Sequence, residues 1–316
     1  MTQNLAILTM TEALNFTAED IELMLSNLDA FSEAEALEID RMVDELNNRT
    51  ANASAYDDLI EFCKLMMPEF IVGKHHRILA DMLMAIERGE KDRICVNIPP
   101  RHGKSQLVSI FYPAWFLGRN PNKKVMMVSH TTDLAVDFGR KVRNLIASDD
   151  YRAIFPTVRL AQDSKSAGRW NTNVGGEYYA CGIGSALAGR GADLLLIDDP
   201  HSEQDVISGN FEVFDKAYEW FTFGARTRLM PGGRVAIIQT RWHLDDLTGR
   251  VTRDMAQNER SDQYDIIEFP AIIEVKSQKS KGTTQKPLWP EFFDLEALLR
   301  TKASMPTFQW NSQYQQ

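Results

Sequence analysis

Residues 99–105 of this chain read PPRHGKS and contain the residue types that can bind a phosphate group. An apolar run, residues 94–98, comes before them, and a second apolar run starts at Leu107. This pattern predicts a strand, a loop and a helix. Gly103 would let the backbone approach phosphate oxygens, and the N–H groups that open the helix would attract an anion. The sequence therefore predicts a phosphate-binding loop.

The residues of this loop have distinct predicted roles. Lys104 would reach the β- and γ-phosphates of ATP, while the Ser105 hydroxyl would bind Mg2+. The residues that we predict to contact ATP are Pro100, Arg101, His102, Gly103, Lys104, Ser105 and Gln106. The full motif, G-x-x-x-x-G-K-[ST], requires glycine where this chain has Ile98, so the match is incomplete. The strand before the G-K-S tripeptide and the apolar helix after it strengthen the prediction.

A further apolar run, residues 193–197, ends in the adjacent carboxylates Asp198 and Asp199. NTPases combine a phosphate-binding loop with an acid at the end of a strand to hold Mg2+ and the attacking water. We predict that Asp198 lies in the metal shell, directly or through water, and that Asp199 orients or activates the hydrolytic water. Glu203 is a second candidate for the role of Asp199. The alternative is a strand that simply ends in an acidic turn.

The run at residues 236–238 leads into Gln239 and Thr240. Because parallel strands end at one edge of a sheet, we expect both side chains near Lys104 and Asp198. We predict that Thr240 senses the γ-phosphate, and the alternative is that it caps the following turn.

Short strand-like runs alternate with helical patterns from Tyr56 onward. The predicted strands span residues 93–98, 124–129, 178–181, 193–198, 234–240 and 265–269. Such alternation predicts an α/β fold in which a mostly parallel sheet has helices on both faces. Residues 274–290 are rich in Lys, Ser, Thr and Gly and are predicted to form a mobile surface loop.

Acidic residues concentrate at the N-terminus. The chain has a net charge of −9, but residues 1–60 contain thirteen acidic residues and only two arginines, so the remainder is slightly basic. The overall acidity therefore does not exclude a nucleic-acid partner. Three cysteines without zinc-ligand spacing indicate a reduced intracellular protein without structural metal. The longest apolar stretch, residues 107–117, is far short of the roughly 20 residues that span a bilayer, so no membrane partner is expected.

Two short amphipathic helices are predicted in the acidic segment. Thr17 would cap the first, and Ser32 with Glu35 forms a capping box for the second. The apolar faces comprise Ile21, Leu25 and Leu28 in the first helix and Ile39, Met42, Val43 and Leu46 in the second. The polar residues 47–54 are predicted to be a linker. The segment is either a helical hairpin packed on the main domain or a docking arm for a partner protein.

Seven short strings in fixed order carry a family resemblance. They are PPRHGKS at 99–105, FLGRNP at 116–121, AGRGAD at 188–193, IDDP at 197–200, TRWH at 240–243, PLWP at 287–290 and QYQQ at 313–316. From about residue 75 to the end, the chain resembles the N-terminal ATPase part of a bacteriophage terminase large subunit, a DNA-packaging motor.

The resemblance implies a P-loop NTPase of the additional-strand (ASCE) type that uses ATP and Mg2+. It implies a ring of self-associated copies on the phage portal protein that moves double-stranded DNA into the procapsid, with the small terminase subunit as a further partner. The expected location is the host cell cytoplasm, transiently at the procapsid portal. We expect an acidic helical arm at 1–54, the ATPase domain at 55–272 and a C-terminal linker or subdomain at 273–316, with the family's nuclease domain missing.

The resemblance also suggests arginines that would neutralise charge on the transferred phosphoryl group. Arg190 is similar to the arginine that a neighbouring subunit supplies in trans, and Arg101 is the candidate within the same chain. For Arg190 the alternative is a structural pairing with Asp193 or a loop carbonyl. His75 and His76 lie where such ATPases place an adenine-contacting segment, and the favoured alternative is two exposed histidines at a helix start.

Duplex DNA would be held through its phosphates by scattered basic residues. The candidates are Lys123, Lys124, Arg140, Lys141, Arg143, Arg226 and Arg228, and by analogy the loop at 129–132. The alternative is that these charges form ordinary solvated faces. Two other functions remain open: a helicase-like DNA translocase or remodelling ATPase, and a non-catalytic nucleotide-binding scaffold.

Overall fold

The computed structural model describes Leu23, Ser26 and residues 31–164, 166–207, 209, 211–276 and 283–316. Seven of the strands in these residues form one sheet: β1 (Arg93–Asn97), β2 (Lys124–Ser129), β3 (Arg169–Asn171), β4 (Glu177–Gly182), β5 (Ala192–Asp198), β6 (Leu229–Gln239) and β7 (Asp265–Glu268). The six strands predicted from the sequence are all present. The antiparallel edge strand β3 was not predicted, because three residues are too few to show a pattern.

The order of the strands in this sheet is β3-β4-β2-β5-β6-β1-β7. All neighbouring strands are parallel except β3 and β4. Strand β6 lies between β1, which leads into the phosphate-binding loop, and β5, which ends at the paired acids. This inserted strand is the additional strand of the predicted fold, so the α/β fold class is confirmed.

Helices surround the sheet. Their bounds are α1 (Glu33–Asp57), α2 (Leu59–Met66), α3 (Lys74–Arg88), α4 (Tyr112–Arg119), α5 (Thr132–Ala147), α6 (Asp149–Ile154), α7 (Glu203–Ile207), α8 (Glu212–Glu219), α9 (Leu247–Gln257), α10 (Leu295–Ala303) and α11 (Thr307–Trp310). Gln106–Phe111, Trp220–Ala225 and Asn311–Gln315 form π-helical segments, and Arg226–Arg228 a 3-10 turn. None of the helices in the described residues is both long and apolar enough to cross a bilayer.

The two faces of the sheet support separate cores. In β5, Leu194 and Leu196 pack in the cluster that contains α2, α3 and α5, while Leu195 and Ile197 pack in the cluster that contains α9. Successive side chains of a strand point to opposite faces, so the continuous apolar run of β5 is explained by burial on both sides. This burial fixes the carboxyl end of β5, where the paired acids begin.

Helix α1 begins as predicted but extends further. Ser32 and Glu35 make the capping box, and the helix runs through Asp57. The prediction of a linker at 47–54 is therefore wrong: the alanines of this stretch favour helix, and the helix end is held where Trp115 Nε1 donates to Ala55 O at 3.1 Å. The predicted first helix, capped by Thr17, lies outside the described residues.

A β-hairpin replaces part of the predicted surface loop. Strands β8 (Ile272–Lys276) and β9 (Thr283–Pro287) pair antiparallel, with Ile272 opposite Pro287, so the loop prediction is wrong at both ends. The β-branched residues of both runs favour a strand. Ala271 and Ile272 pack with Leu298 and Trp310 in a third core, which joins the hairpin to α10 and α11.

Candidate active site

Three parallel strands bring predicted site residues to one edge of the sheet. Lys104 follows β1, Asp199 follows β5 and Thr240 follows β6. Lys104 Nζ lies 2.8 Å from Asp199 Oδ2 and donates to Thr240 Oγ1 at 3.1 Å. The Thr240 N–H donates to Asp199 Oδ1 at 2.8 Å. An ammonium, a carboxylate and a hydroxyl are therefore joined where the three strands end.

Lys104 is only 6% exposed, so its ammonium has little contact with water. Burial by itself lowers the pKa of Lys104, but the charges of Asp199 and Asp198 outweigh burial and raise it. Lys104 therefore carries a fixed positive charge at neutral pH. A phosphate that approaches the loop would compete with Asp199 for this charge.

Asp198, the last residue of β5, is almost fully buried. Its Oδ2 accepts a hydrogen bond of 2.6 Å from Ser109 Oγ, while Oδ1 has no partner among the described residues. Burial raises the pKa of Asp198 to about 6, and the charge of Asp199 adds to this shift. Ser109 was not predicted as a site residue, although it lies one helical turn after Ser105 and such spacing places two side chains on one face.

We expect Ser109→Ala to destabilise the fold by about 1.5–3 kcal/mol near neutral pH, because the ionised Asp198 loses its buried donor. Below its pKa of about 6, Asp198 is protonated in the folded chain. It then depends less on that donor, so the deficit should shrink at acidic pH. Urea unfolding of both chains at a neutral and an acidic pH measures the difference, and an equal deficit at both would contradict this role of Ser109.

The phosphate-binding loop has an unusual backbone shape. Arg101 and Gly103 have φ angles of 60° and 77°, in the left-handed region. A Cβ atom at Gly103 would lie 2.2 Å from His76 Nε2, so glycine is required here for space as well as for conformation. His102 Nδ1 donates to Pro100 O at 2.9 Å across the turn.

His75 and His76, in the first turn of α3, are buried behind this loop. The expectation that they are exposed is therefore wrong, and their burial leaves no ring face open to adenine. Each Nε2 atom lies 3.0 Å from His102 O. Burial lowers the pKa of each to about 4. Both histidines are buried because α3 packs against the loop, and Phe70 and Trp289 lie against the His76 ring.

Gln106, the last predicted ATP-contacting residue, lies beside an open groove. Met66, Met67, Ile110 and Phe111 form apolar walls of this groove. Gln106 Nε2 lies 3.6 Å from Met67 Sδ. The groove therefore runs along the π-helical segment Gln106–Phe111, which directly follows the phosphate-binding loop.

Arg190 lies at the amino end of β5, whereas Lys104 lies where the carboxyl ends of the parallel strands meet. It precedes β5 by two residues, and β5 spans about 20 Å at 3.3 Å per residue before it reaches Asp198. Arg190 Nη1 lies 3.4 Å from Glu177 Oε1, and the guanidinium lies 4.6 Å from the centre of the Tyr179 ring. Arg190 is therefore in a structural pairing, as the alternative expected, but its acidic partner is Glu177, while Asp193 accepts from Lys123.

Arg101 is exposed at the turn of the loop. It lies close enough to Tyr314 to affect its titration: burial raises the pKa of Tyr314, and the Arg101 charge opposes this shift. Near the same C-terminal residues, the Arg241 N–H donates to Gln316 Oε1 at 3.1 Å. The end of the chain therefore lies beside the candidate site.

Several residues predicted to hold DNA have acidic partners in the fold. The pairs are Lys123 with Asp193, Arg140 and Lys141 with Asp137, and Arg226 with Asp262. These charges are partly neutralised within the chain, which fits the alternative of ordinary solvated faces.

The loop at 129–132 lies directly beside the paired acids. The His130 N–H donates to Asp199 O at 3.1 Å, and Thr131 caps α5. Gln239 is buried, and both polar atoms of its side chain are without a partner in the part of the chain that the structure describes. Glu203 is exposed at the start of α7.

The site lies in a segment with a recognisable family pattern. Residues 95–206 match the family model described as "Terminase large subunit, T4likevirus-type, N-terminal". The terminase resemblance is confirmed. This segment includes the last three residues of β1, the phosphate-binding loop and the paired acids at the end of β5, but it ends before Thr240.

Solved structures of phage large terminases are similar to this chain. The large terminase of bacteriophage HK97 has a TM-score of 0.47 and 13% identity, over 79% of this chain and 52% of that one. The ATPase domain of the Thermus phage P74-26 large terminase has a TM-score of 0.44 and 15% identity, over 74% and 91%. The large terminase of a thermophilic bacteriophage, in complex with ATP-gamma-S, has a TM-score of 0.47 and 11% identity, over 76% and 51%.

This chain spans about half the length of the HK97 terminase and of the terminase solved with ATP-gamma-S. Among curated proteins, none matches it significantly.

Proposed function

We propose that this chain is the ATP-hydrolysing part of a phage terminase large subunit, a motor that moves double-stranded DNA into the procapsid. The observation that carries the proposal is the joined set of Lys104, Asp199 and Thr240 at the carboxyl ends of three parallel strands. Ligands of open α/β sheets bind at this edge. The terminase family model covers the loop and both acids, and this match supports ATP as the substrate.

The residues of the site have complementary roles in this proposal. The loop from Pro100 to Gln106 wraps the phosphates of ATP, and Lys104 moves its charge from Asp199 to the β- and γ-phosphate oxygens. Asp199 is then free to accept a proton from the attacking water. Thr240 donates its hydroxyl hydrogen to the γ-phosphate and couples that contact to β6.

The residues that would hold Mg2+ are Asp198 and Ser105. Asp198 fits this role because its Oδ1 is buried without a partner among the described residues, and the Ser105 hydroxyl is close enough to lower its pKa. Mg2+ would neutralise charge on the phosphates. Ser109 holds the opposite oxygen of Asp198 and so orients Oδ1.

Arginines would complete the site. Arg190 cannot reach Lys104 of its own chain across the sheet, so it would act on the site of a neighbouring copy in a ring. Arg101 lies in the loop itself and would act in cis.

The ring would assemble on the portal protein in the host cytoplasm, with the small terminase subunit as a partner. The division into an arm at 1–54, an ATPase domain at 55–272 and a C-terminal part at 273–316 remains part of the proposal.

The test is ATP hydrolysis by the full chain with and without duplex DNA. We expect DNA-stimulated release of phosphate, and a loss of at least about 100-fold in Lys104→Ala because removal of one well-placed charged donor has effects of this size. Lys302→Ala, which removes a lysine of α10, is the control. Equal phosphate release by the Lys104→Ala variant and the unmodified chain would refute the ATPase proposal.

A further inference from the structure

Two histidines, His75 and His76, support the phosphate-binding loop from behind. His75 Nε2 and His76 Nε2 each lie 3.0 Å from His102 O, the carbonyl oxygen at the centre of the loop. A carbonyl oxygen only accepts and has two lone pairs, so both imidazoles must donate from Nε2. His76 Nδ1 in turn accepts from the Gly73 N–H at 3.0 Å, which fixes its tautomer. Two neutral side chains therefore hold one backbone atom.

The position of this carbonyl determines where the loop donors point. His102 C=O and Gly103 N–H belong to one trans peptide group and point in opposite directions. With the carbonyl directed at His75 and His76 on one side, the Gly103 N–H is directed to the other side, where an anion would bind. We propose that His75 and His76 are positioning residues that hold the loop in its phosphate-binding shape.

The sequence of the loop explains why such support is needed. Ile98 stands where the complete motif has its first glycine. Gly103 is therefore the only glycine in residues 99–105 that can adopt a left-handed conformation without strain. Arg101 adopts a left-handed φ of 60°, a strained conformation for a residue with a Cβ atom. A strained conformation persists only where surrounding contacts fix it. The two histidine hydrogen bonds are such contacts.

Aromatic packing holds the histidines in place. The Trp289 ring lies 5.4 Å from that of His75 and 4.8 Å from that of His76, and Phe293 stacks on His102 at 4.9 Å. Burial lowers the pKa of all three histidines to about 4, so they stay neutral and keep their donor and acceptor pattern at physiological pH. The C-terminal part of the chain therefore contacts the loop through these rings.

The inference rests on the proposed ATP site, and its test separates the two. ATP binding by the full chain is measured by calorimetry, and hydrogen exchange of a peptide covering residues 99–105 is measured without ATP. His75→Leu and His76→Leu should each weaken ATP binding about five- to tenfold, as expected for the loss of one hydrogen bond. Both should also speed exchange in the loop peptide. The Gln variants retain an N–H donor and should recover most of the affinity.

Tyr151→Phe is the matched control. It also removes a buried hydrogen bond to a carbonyl, from Tyr151 Oη to Ala114 O at 2.8 Å, but away from the loop. It should leave ATP affinity and loop exchange unchanged. Unchanged affinity and exchange in both folded Leu variants would overturn the positioning role.

The unmodified chain provides the remaining outcomes. If it binds no ATP while the Leu variants speed loop exchange, the ATPase proposal fails and the support of the loop stands. If the Leu variants do not fold, nitrogen NMR of the imidazoles in the unmodified chain decides. Neutral Nε2–H tautomers at His75 and His76 support the proposal, and an Nδ1–H tautomer at either residue overturns it.

Discussion

Asp199→Asn should reduce ATP turnover by at least about 100-fold while ATP binding is retained. A general base contributes roughly 100- to 10,000-fold to a rate, and an amide cannot accept the proton of the attacking water. Asn keeps the oxygen that accepts from the Thr240 N–H, so the loop after β5 stays in place. Asp199 has a φ of 45°, a conformation that Asn tolerates better than most residues. The variant therefore changes the charge without straining the backbone.

The same variant should alter the stability of the chain. Lys104 loses its 2.8 Å partner and keeps a buried charge that only Asp198 then offsets, so the variant should be less stable than the unmodified chain. Phosphate oxygens of ATP would replace the lost carboxylate, so ATP should stabilise Asp199→Asn more than the unmodified chain. Phosphate release and thermal unfolding with and without ATP measure both effects. Normal hydrolysis by this variant would remove Asp199 from the catalytic role.

The central parallel strands were predictable from sequence because they contain continuous apolar runs buried on both faces, whereas the short edge strand β7 has only Ile266 and Ile267 between two acids. The same runs placed the ends of β1, β5 and β6 at one edge, so the meeting of Lys104, Asp199 and Thr240 followed from topology. Edge strand β3 was missed because it has only three residues, and hairpin β8–β9 was missed because the Lys, Ser, Thr and Gly content of residues 274–290 was given more weight than the β-branched residues within it. Local composition also failed at residues 47–54, where tertiary contacts of the helix end outweigh polarity.

The histidine support of the loop could not be predicted from spacing. His75 and His76 are 27 and 26 residues from His102 in sequence, and only the packing of α3 against the loop joins them. Ser109 is different, because its distance of one helical turn from Ser105 was visible. For Arg190 a structural pairing was expected as the alternative, but its contact with Glu177 depends on the register of β4 and could not be read from sequence.

The chain should lose stability as the pH falls from about 6.5 to about 4. Burial lowers the folded-state pKa of His75, His76, His102 and His201 from 6.5 to about 4. In this range the unfolded chain binds protons that the folded chain excludes, so protonation favours unfolding. The stabilisation is complete above the unfolded pKa and is lost on approach to the folded one.

At acidic pH, the loss of stability from the four histidines should be larger than the gain from Asp198. A shift of this size corresponds to about 3 kcal/mol for each histidine at 1.36 kcal/mol per pKa unit. The shifts are not additive, because His76 lowers the pKa of His75, and Glu291 opposes that shift. Asp198 acts in the other direction, since its folded pKa of about 6 makes the chain more stable as the pH falls. One carboxylate offsets about one histidine, so the net change remains destabilising.

Urea unfolding between pH 7.5 and 4.5 would show this as a steep fall in the free energy of unfolding. In His76→Gln, one proton-binding group of the unfolded chain is removed, and the slope should decrease by up to about 1.4 kcal/mol per pH unit. Tyr151→Phe removes a buried hydrogen bond but no imidazole, and it should keep the slope of the unmodified chain. A slope unchanged in His76→Gln would mean that this ring titrates alike in both states. That result would mean that water reaches the His76 ring. It would contradict the burial of this ring between Phe70 and Trp289, and with it the predicted pH dependence.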